Sequence, residues 1–281
     1  MSVDPRTGGS TVAGGGTTSS YWRVPTSSLS STVQVGLGAT NGTKYQDANS
    51  GNSAGSGAYI IATISGLPRT ADDVLIFTAR GGRSGGGAGN PDRRGGYGGN
   101  GVGLAYLNTS SGVGGWLAVA GGGGADGGAG TSGSPQPGGS HGRAGGGPTG
   151  RPGLPGTVSA GGAAGVNGYV GGTQPTAGTL ASSVTDTSPT IGLGGQGADW
   201  ETGRSGGGGG GSGYSGGGGG GCANLLDASD AGGGAGGLSW VTSGVAGIQV
   251  TFHVTYTVPR AFTFNHSTVL VELYSQPPPP Q

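Results

Sequence analysis

The sequence predicts a mainly β protein built around a bundle of polyglycine-II helices, with almost no α-helix. Three observations carry that prediction. Two runs of six glycines, residues 206–211 and 216–221, flank the spacer Ser212-Gly213-Tyr214-Ser215. Several other segments alternate apolar with small or polar residues at the period of two that marks half-buried strands. No segment combines a helical period with capping residues.

Of the 281 residues, 76 are Gly. Glycine gains nothing from side-chain burial and loses more freedom on ordering than any other residue, so its runs either stay unfolded or pack backbone against backbone. Only 9% of residues are charged and 31% are hydrophobic, which favours packing, because a solvated linker is richer in charge and poorer in Val, Ile, Leu and Trp. Twelve basic and twelve acidic side chains balance, so nothing electrostatic points to nucleic acid or an anionic membrane as a partner. No apolar stretch approaches the ~20 residues of a bilayer span, and the first thirty residues hold no signal-peptide core; a chain made and folded in a cytoplasm, with no membrane insertion, is expected. The lone Cys222 excludes an intrachain disulfide.

Composition divides the chain into four parts. Residues 1–31 are rich in Ser, Thr and Gly, with Tyr21-Trp22-Arg23-Val24-Pro25 as their bulky group, and read as an extended N-terminal arm. Residues 32–80 form a β region. Val33, Val35 and Leu37 alternate with small or polar residues, and residues 58–64 and 74–79 are rich in β-branched and aromatic side chains. Gly66-Leu67-Pro68 and Asp72-Asp73 supply turn chemistry between them. Residues 81–244 are the glycine-rich part, interrupted by a hairpin of residues 102–107 and 116–120 that turns near Asn108-Thr109-Ser110-Ser111-Gly112. Within it, residues 147–156 place Gly at every third position, the period of a polyproline-II-type helix. Residues 245–281 return to strands, at 248–258, 261–264 and 269–273, and end in the stiff run Pro277 to Pro280.

A polyglycine-II helix turns every three residues and leaves its N–H and C=O groups pointing outward, so each must find a partner on an adjacent helix once buried. An interior helix touches neighbours all round and tolerates only glycine, whereas an outer one carries a side chain at its outward third. Gly206, Gly207, Gly208, Gly209, Gly210 and Gly211, with Gly216, Gly217, Gly218, Gly219, Gly220 and Gly221, are therefore the expected interior scaffold. Mixed pieces such as 121–130 and 139–147 are the expected rim. Valine at Gly208 should be far more damaging than valine at Gly15 in the arm.

Catalytic, metal and cofactor chemistry finds no footing. His141, His253 and His266 are scattered, Glu201 and Glu272 are the only glutamates, and the serines sit in no nucleophile motif. Residues 121–126 and 194–199 match the start of a calcium-binding Gly-Asp repeat, but Gly128 and Glu201 fill its apolar slot. A GxGxxG match inside a hexaglycine run lacks the following helix that a nucleotide site needs. Recognition is the more promising chemistry. Aromatic residues next to glycine, Tyr97, Tyr169, Trp200 and Tyr214, either cap the bundle ends or present flat amphipathic surfaces to a sugar or protein. Arg93 and Arg94, which cluster with Arg80 and Arg83, form either a solvated loop or a site for an acidic surface glycan.

Two resemblances follow from these residues. Trp116-Leu117-Ala118-Val119-Ala120 running into Gly121-Gly122-Gly123-Gly124 resembles the glycine-rich domain of the anaplastic lymphoma kinase and leukocyte tyrosine kinase receptors. Trp200-Glu201-Thr202 before two six-glycine runs, with Cys222 beside one, is similar to that domain's central motif. The likeness covers roughly residues 75–244 and implies polyglycine-II helices closed against β-strands. The signal peptide, multiple cysteines, transmembrane helix and kinase of those receptors have no counterpart here, and Cys222 follows the second run instead of separating the two. More loosely, the chain resembles glycine-rich adhesins at the tips of bacteriophage tail fibres and glycine-rich minor tail proteins. That likeness implies a non-enzymatic virion tail protein assembled in the host cytoplasm, with other tail proteins and a host-surface glycan or protein as partners. A homotrimer would suit tail symmetry, although no heptad supports it. The alternative is a secreted or cell-surface ligand-binding module of the receptor type.

Overall fold

A computed structural model describes residues 10–13, 19–43, 54–55, 57–86, 94–127, 176–199, 206–221, 231, 233–242, 244–253 and 268–274. They form two antiparallel sheets and a glycine-rich lattice, and among them there is no α-helix, only a single 3-10 turn at Thr26–Ser28.

The strands are β1 (Ser10–Ala13), β2 (Ser19–Pro25), β3 (Thr32–Gly38), β4 (Tyr59–Ser65), β5 (Asp73–Arg80), β6 (Gly101–Asn108), β7 (Gly114–Ala120), β8 (Trp240–Val241), β9 (Gly244–Val245), β10 (Ile248–His253) and β11 (Thr268–Tyr274). One sheet runs β1-β11-β3-β4-β10-β9 and the other β2-β5-β6-β7-β8. Alternation decides which side chains face inward: Val33, Val35 and Leu37 from β3 and Ile60, Ala62 and Ile64 from β4 meet Leu75, Phe77, Val102, Leu104 and Tyr106 of the second sheet in one core. A bulge between Leu104 and Ala105 lets Leu117 and Ala118 both reach that core.

The second sheet is buried on both faces. Ile76, Ala105, Leu107, Trp116 and Val119 point away from the first sheet and pack under Val184 and Ile191. This explains why β5 reads as a nearly continuous apolar run. The Trp116 indole N–H donates to the Ser182 carbonyl at 2.8 Å, the Arg23 guanidinium to Thr187 at 3.0 Å, and Arg80 to Ile191 at 2.7 Å, so three side chains pin the covering segment.

The stretch read from sequence as an arm supplies two edge strands. β2 pairs with β5 from Ser19↔Arg80 to Pro25↔Val74, and Trp22 stacks on Phe77 at 5.4 Å, because Trp22 and Val24 alternate toward the core. β1 pairs with β11. Strands from either side of the composition changes at 31, 80 and 244 thus share the same sheets. The hairpin turn lies where the sequence puts it: the Asn108 carboxamide oxygen accepts from Ser110 and Ser111, and Gly112 has φ 68°. β10 ends at His253, and residues 254–258, the rest of the strand read from sequence, lie outside the described residues with 261–264.

At one end of the sandwich the strands continue as glycine-rich chain. β3, β5 and β7 run out into 39–43, 81–86 and 121–126, while 94–100 leads into β6 and 233–239 into β8.

Candidate functional site

The continuing segments, here called ribs, bond to one another with three-residue steps. On the rib 206–213 the N–H groups of Gly207, Gly210 and Gly213 donate to Ala198, Gly195 and Gly192 at 2.8–3.0 Å, the partner falling by three as the donor rises by three. Gly209 and Ser212 donate to Gly96 and Gly99, and Gly211 to Ala235. Its carbonyls accept from Gly86 and Arg83, from Gly220 and Gly217, and from Ala125 and Gly122. Six ribs therefore surround it: those containing 83–86, 96–99, 122–125, 192–198, 217–220 and 235. A β-carbon has nowhere to go. One built on Gly207 would fall on the Gly220 carbonyl oxygen, on Gly209 on that of Arg83, and on Gly210 on that of Gly217.

Position, not purity, decides which rib is interior. Residues 121–126, expected at the rim, are buried and bond to the ribs containing 40–43, 55–58, 96–99, 209–212 and 234–237. They extend β7, which packs against β3 and β4 of the other sheet, and extensions of both sheets enclose them. The second hexaglycine run is buried as well, and among the described residues it bonds to 176–179, 195–198, 208–211 and 235.

The rib Arg94-Gly95-Gly96-Tyr97-Gly98-Gly99-Asn100 carries a side chain at every third residue for a geometric reason. A β-carbon on Gly95 or Gly98 would strike the central rib at Gly207 or Gly210, and one on Gly96 or Gly99 would strike the carbonyls of Thr43 or Thr40. The row of Arg94, Tyr97 and Asn100 is the one that carries side chains. Arg94 is exposed and Tyr97 is 48% exposed, while the buried Asn100 turns its carboxamide oxygen to the Gly82 N–H at 3.1 Å. The sequence carries this period of three at 94, 97 and 100.

Tyr214 sits elsewhere. The turn it occupies lies at the sandwich end of the lattice, where its ring stacks on Trp240 at 4.6 Å and 14° against the outer cluster of the second sheet. Of the two roles open to it, that is the capping position. Tyr169, Trp200 and Arg93 lie outside the described residues, as do Cys222, Gly15 and residues 139–156.

One buried carboxylate of the sandwich is held in place by three donors. Asp73 accepts from the Tyr106 hydroxyl at 2.5 Å, the Asn108 amide at 2.9 Å and the Thr70 hydroxyl. Burial works to raise its carboxyl, but the donors from Thr70, Tyr106 and Asn108 outweigh burial and hold it below the ordinary value. Burial, then the bond to Asp73 and its charge, push the Tyr106 hydroxyl far up. On the outer face of the first sheet the Tyr59 hydroxyl donates to Glu272 at 2.5 Å across Gly36, where a β-carbon would stand 2.6 Å from the same carboxylate oxygen. Among the described residues no three His, Cys, Asp or Glu side chains are grouped to hold a metal ion.

No protein-family model matches the chain, and no curated protein is significantly similar to it. The chemistry of this surface is therefore read from geometry: a backbone lattice that fixes one row of side chains, with a guanidinium and a phenol ring facing solvent.

Proposed function

We propose that the ribs are polyglycine-II helices and that the chain is a non-enzymatic structural and adhesion protein of a bacteriophage tail, a minor tail protein or fibre tip. It holds a rigid glycine lattice toward a host-surface glycan or protein. The observation that carries this reading is the bonding of residues 206–213 to six surrounding ribs in steps of three. A rise of ~3.1 Å per residue makes that rib about 25 Å long. Side chains mounted on such a scaffold lose little freedom on binding, which is the advantage of preorganised recognition.

Chain direction supports a two-ended molecule. β1 runs from Ser10 toward the lattice, and β11 runs away from it to Tyr274, as the pairs Leu270↔Gly38 and Tyr274↔Gln34 require. The Ser10 end of β1 and the Tyr274 end of β11 thus lie at the pole opposite the lattice, which suits attachment to other tail proteins there and recognition at the lattice. The Arg94 and Tyr97 row supplies a cation for acidic groups and a flat ring for sugar or protein. No helix among the described residues is long and apolar enough to cross a membrane. Under this reading the protein needs no cofactor and meets no nucleic acid, and a homotrimer is the natural assembly, to be read from the mass in solution.

Immunogold labelling of purified virions with antibody against this protein tests the assignment. Label on the tail is the expected result, and its absence from intact particles while the protein accumulates in the lysate overturns it.

A further inference from the structure

Five hydroxyl residues repeat one arrangement at the edges of the lattice. The Thr176 N–H donates to the Gln196 carbonyl at 3.0 Å while the Thr176 hydroxyl oxygen accepts the Gln196 N–H at 2.7 Å. Thr179 does the same with Leu193, at 2.8 and 2.9 Å, and Ser182 with Thr190, at 2.8 and 2.9 Å. On a separate rib Thr40 grips Asn100 at 3.0 and 2.7 Å, and Thr43 grips Tyr97 at 2.8 and 2.7 Å. Hydroxyls rise by three, at 40 and 43 and at 176, 179 and 182, while partners fall by three, at 100 and 97 and at 196, 193 and 190.

The hydroxyl is needed because the carbonyl is already used. Thr176 and Thr179 give their carbonyls to Gly219 and Gly216 on the second hexaglycine run, and Thr40 and Thr43 give theirs to Gly123 and Asp126. A glycine in any of these four places would leave the facing N–H without that acceptor, at the desolvation cost of an unmade bond. One threonine thus joins three ribs.

We propose that these hydroxyls are edge clamps of the lattice, doing for an outer rib what an N-cap side chain does for a helix end, and that Thr43 is the positioning residue that holds Tyr97 by both its backbone groups. The clamp rests on the lattice reading, whereas the role of Thr43 rests in addition on the recognition reading. It also yields a sequence rule: hydroxyl residues at every third position beside glycine-rich chain mark an outer rib, as in Thr176-Ala177-Gly178-Thr179-Leu180-Ala181-Ser182.

Amide hydrogen exchange read by NMR tests the clamp. Thr176→Val with Thr179→Val keeps the β-branched shape and removes the acceptors, and exchange at Gln196 and Leu193 is expected to quicken roughly ten- to a hundredfold while Gly207 and Gly210 stay protected. Thr176→Ser with Thr179→Ser is expected to preserve protection, and this pair decides the question if the valine variant unfolds. Unchanged exchange in a folded valine variant, or lost protection in the serine variant, overturns the clamp. Exposed Gly207 and Gly210 amides in the unsubstituted chain overturn the lattice itself, so the two failures are distinct. For Thr43, faster exchange at Tyr97 in Thr43→Val with rescue by Thr43→Ser is expected, and equal exchange in both overturns its positioning role.

Discussion

A β-carbon added to Gly208 would stand 2.5 Å from the carbonyl oxygen of Ala125, with the Asp126 carbonyl at 2.7 Å and the Gly234 amide at 2.8 Å. All three obstacles are backbone atoms engaged in the lattice, so none swings aside as a side chain would. Gly208→Val is therefore expected to destabilise the fold by about 3 kcal/mol or more, and Gly210→Ala to do likewise. Val113→Ala, at a side chain 53% exposed, should stay within about 0.5 kcal/mol. Urea melts of the three variants check the ranking, and equal midpoints contradict it.

Asp73 makes stability fall in acid. Its carboxyl is held below the ordinary value in the fold, so its contribution is complete above the unfolded value of about 3.9 and is lost as pH drops through the folded one. Tyr106→Phe removes one donor, should cost about 1 kcal/mol near neutrality, and should move the onset of acid unfolding upward. Melting temperature followed from pH 6 to pH 2 checks both, and an unmoved onset counts against the network.

The two-residue turn between β9 and β10 carries a correctable strain. Ala246 has φ 51° and Gly247 φ 84°, the pair of left-handed residues that a tight hairpin requires, and alanine pays a steric penalty there. Ala246→Asn or Ala246→Gly should raise stability by about 0.5–1 kcal/mol. Calorimetry decides the sign.

Tyr214 and Tyr97 separate capping from recognition. Tyr214→Ala removes a ring stacked on Trp240 and should cost about 1–2 kcal/mol without altering adsorption of virions to susceptible cells. Arg94→Ala with Tyr97→Ala should leave the melt nearly unchanged and reduce adsorption. Reversed results would exchange the roles of the two sites.

Much of the fold is legible wherever side chains alternate. The period of two in 33–37 and the β-branched and aromatic residues of 58–64 and 74–79 mark β3, β4 and β5, and Asn108 with Gly112 marks the hairpin turn. β8 and β9 hold two residues each, too few for any period, and β2 hides in a Ser-rich stretch because only Trp22 and Val24 face the core. In the lattice, glycine content announces backbone packing but not rank: 121–126 is interior because five other ribs bond to it, extensions of both sheets among them, a fact of topology. The row Arg94, Tyr97 and Asn100 and the threonine clamps obey a period of three. That period stands out at 147–156, where Gly itself repeats, and is hidden where the repeating residue is Arg, Tyr or Thr set among glycines.

The central claim is that a segment almost without side chains is held by named backbone bonds. Scalar couplings transmitted through hydrogen bonds, measured by NMR on labelled protein, read those bonds individually. Cross-peaks are expected from the amides of Gly207, Gly210 and Gly213 to the carbonyls of Ala198, Gly195 and Gly192. Resolved amides for these three glycines with no such couplings, and with exchange at the rate of free peptide while β5 and β6 remain protected, would contradict it.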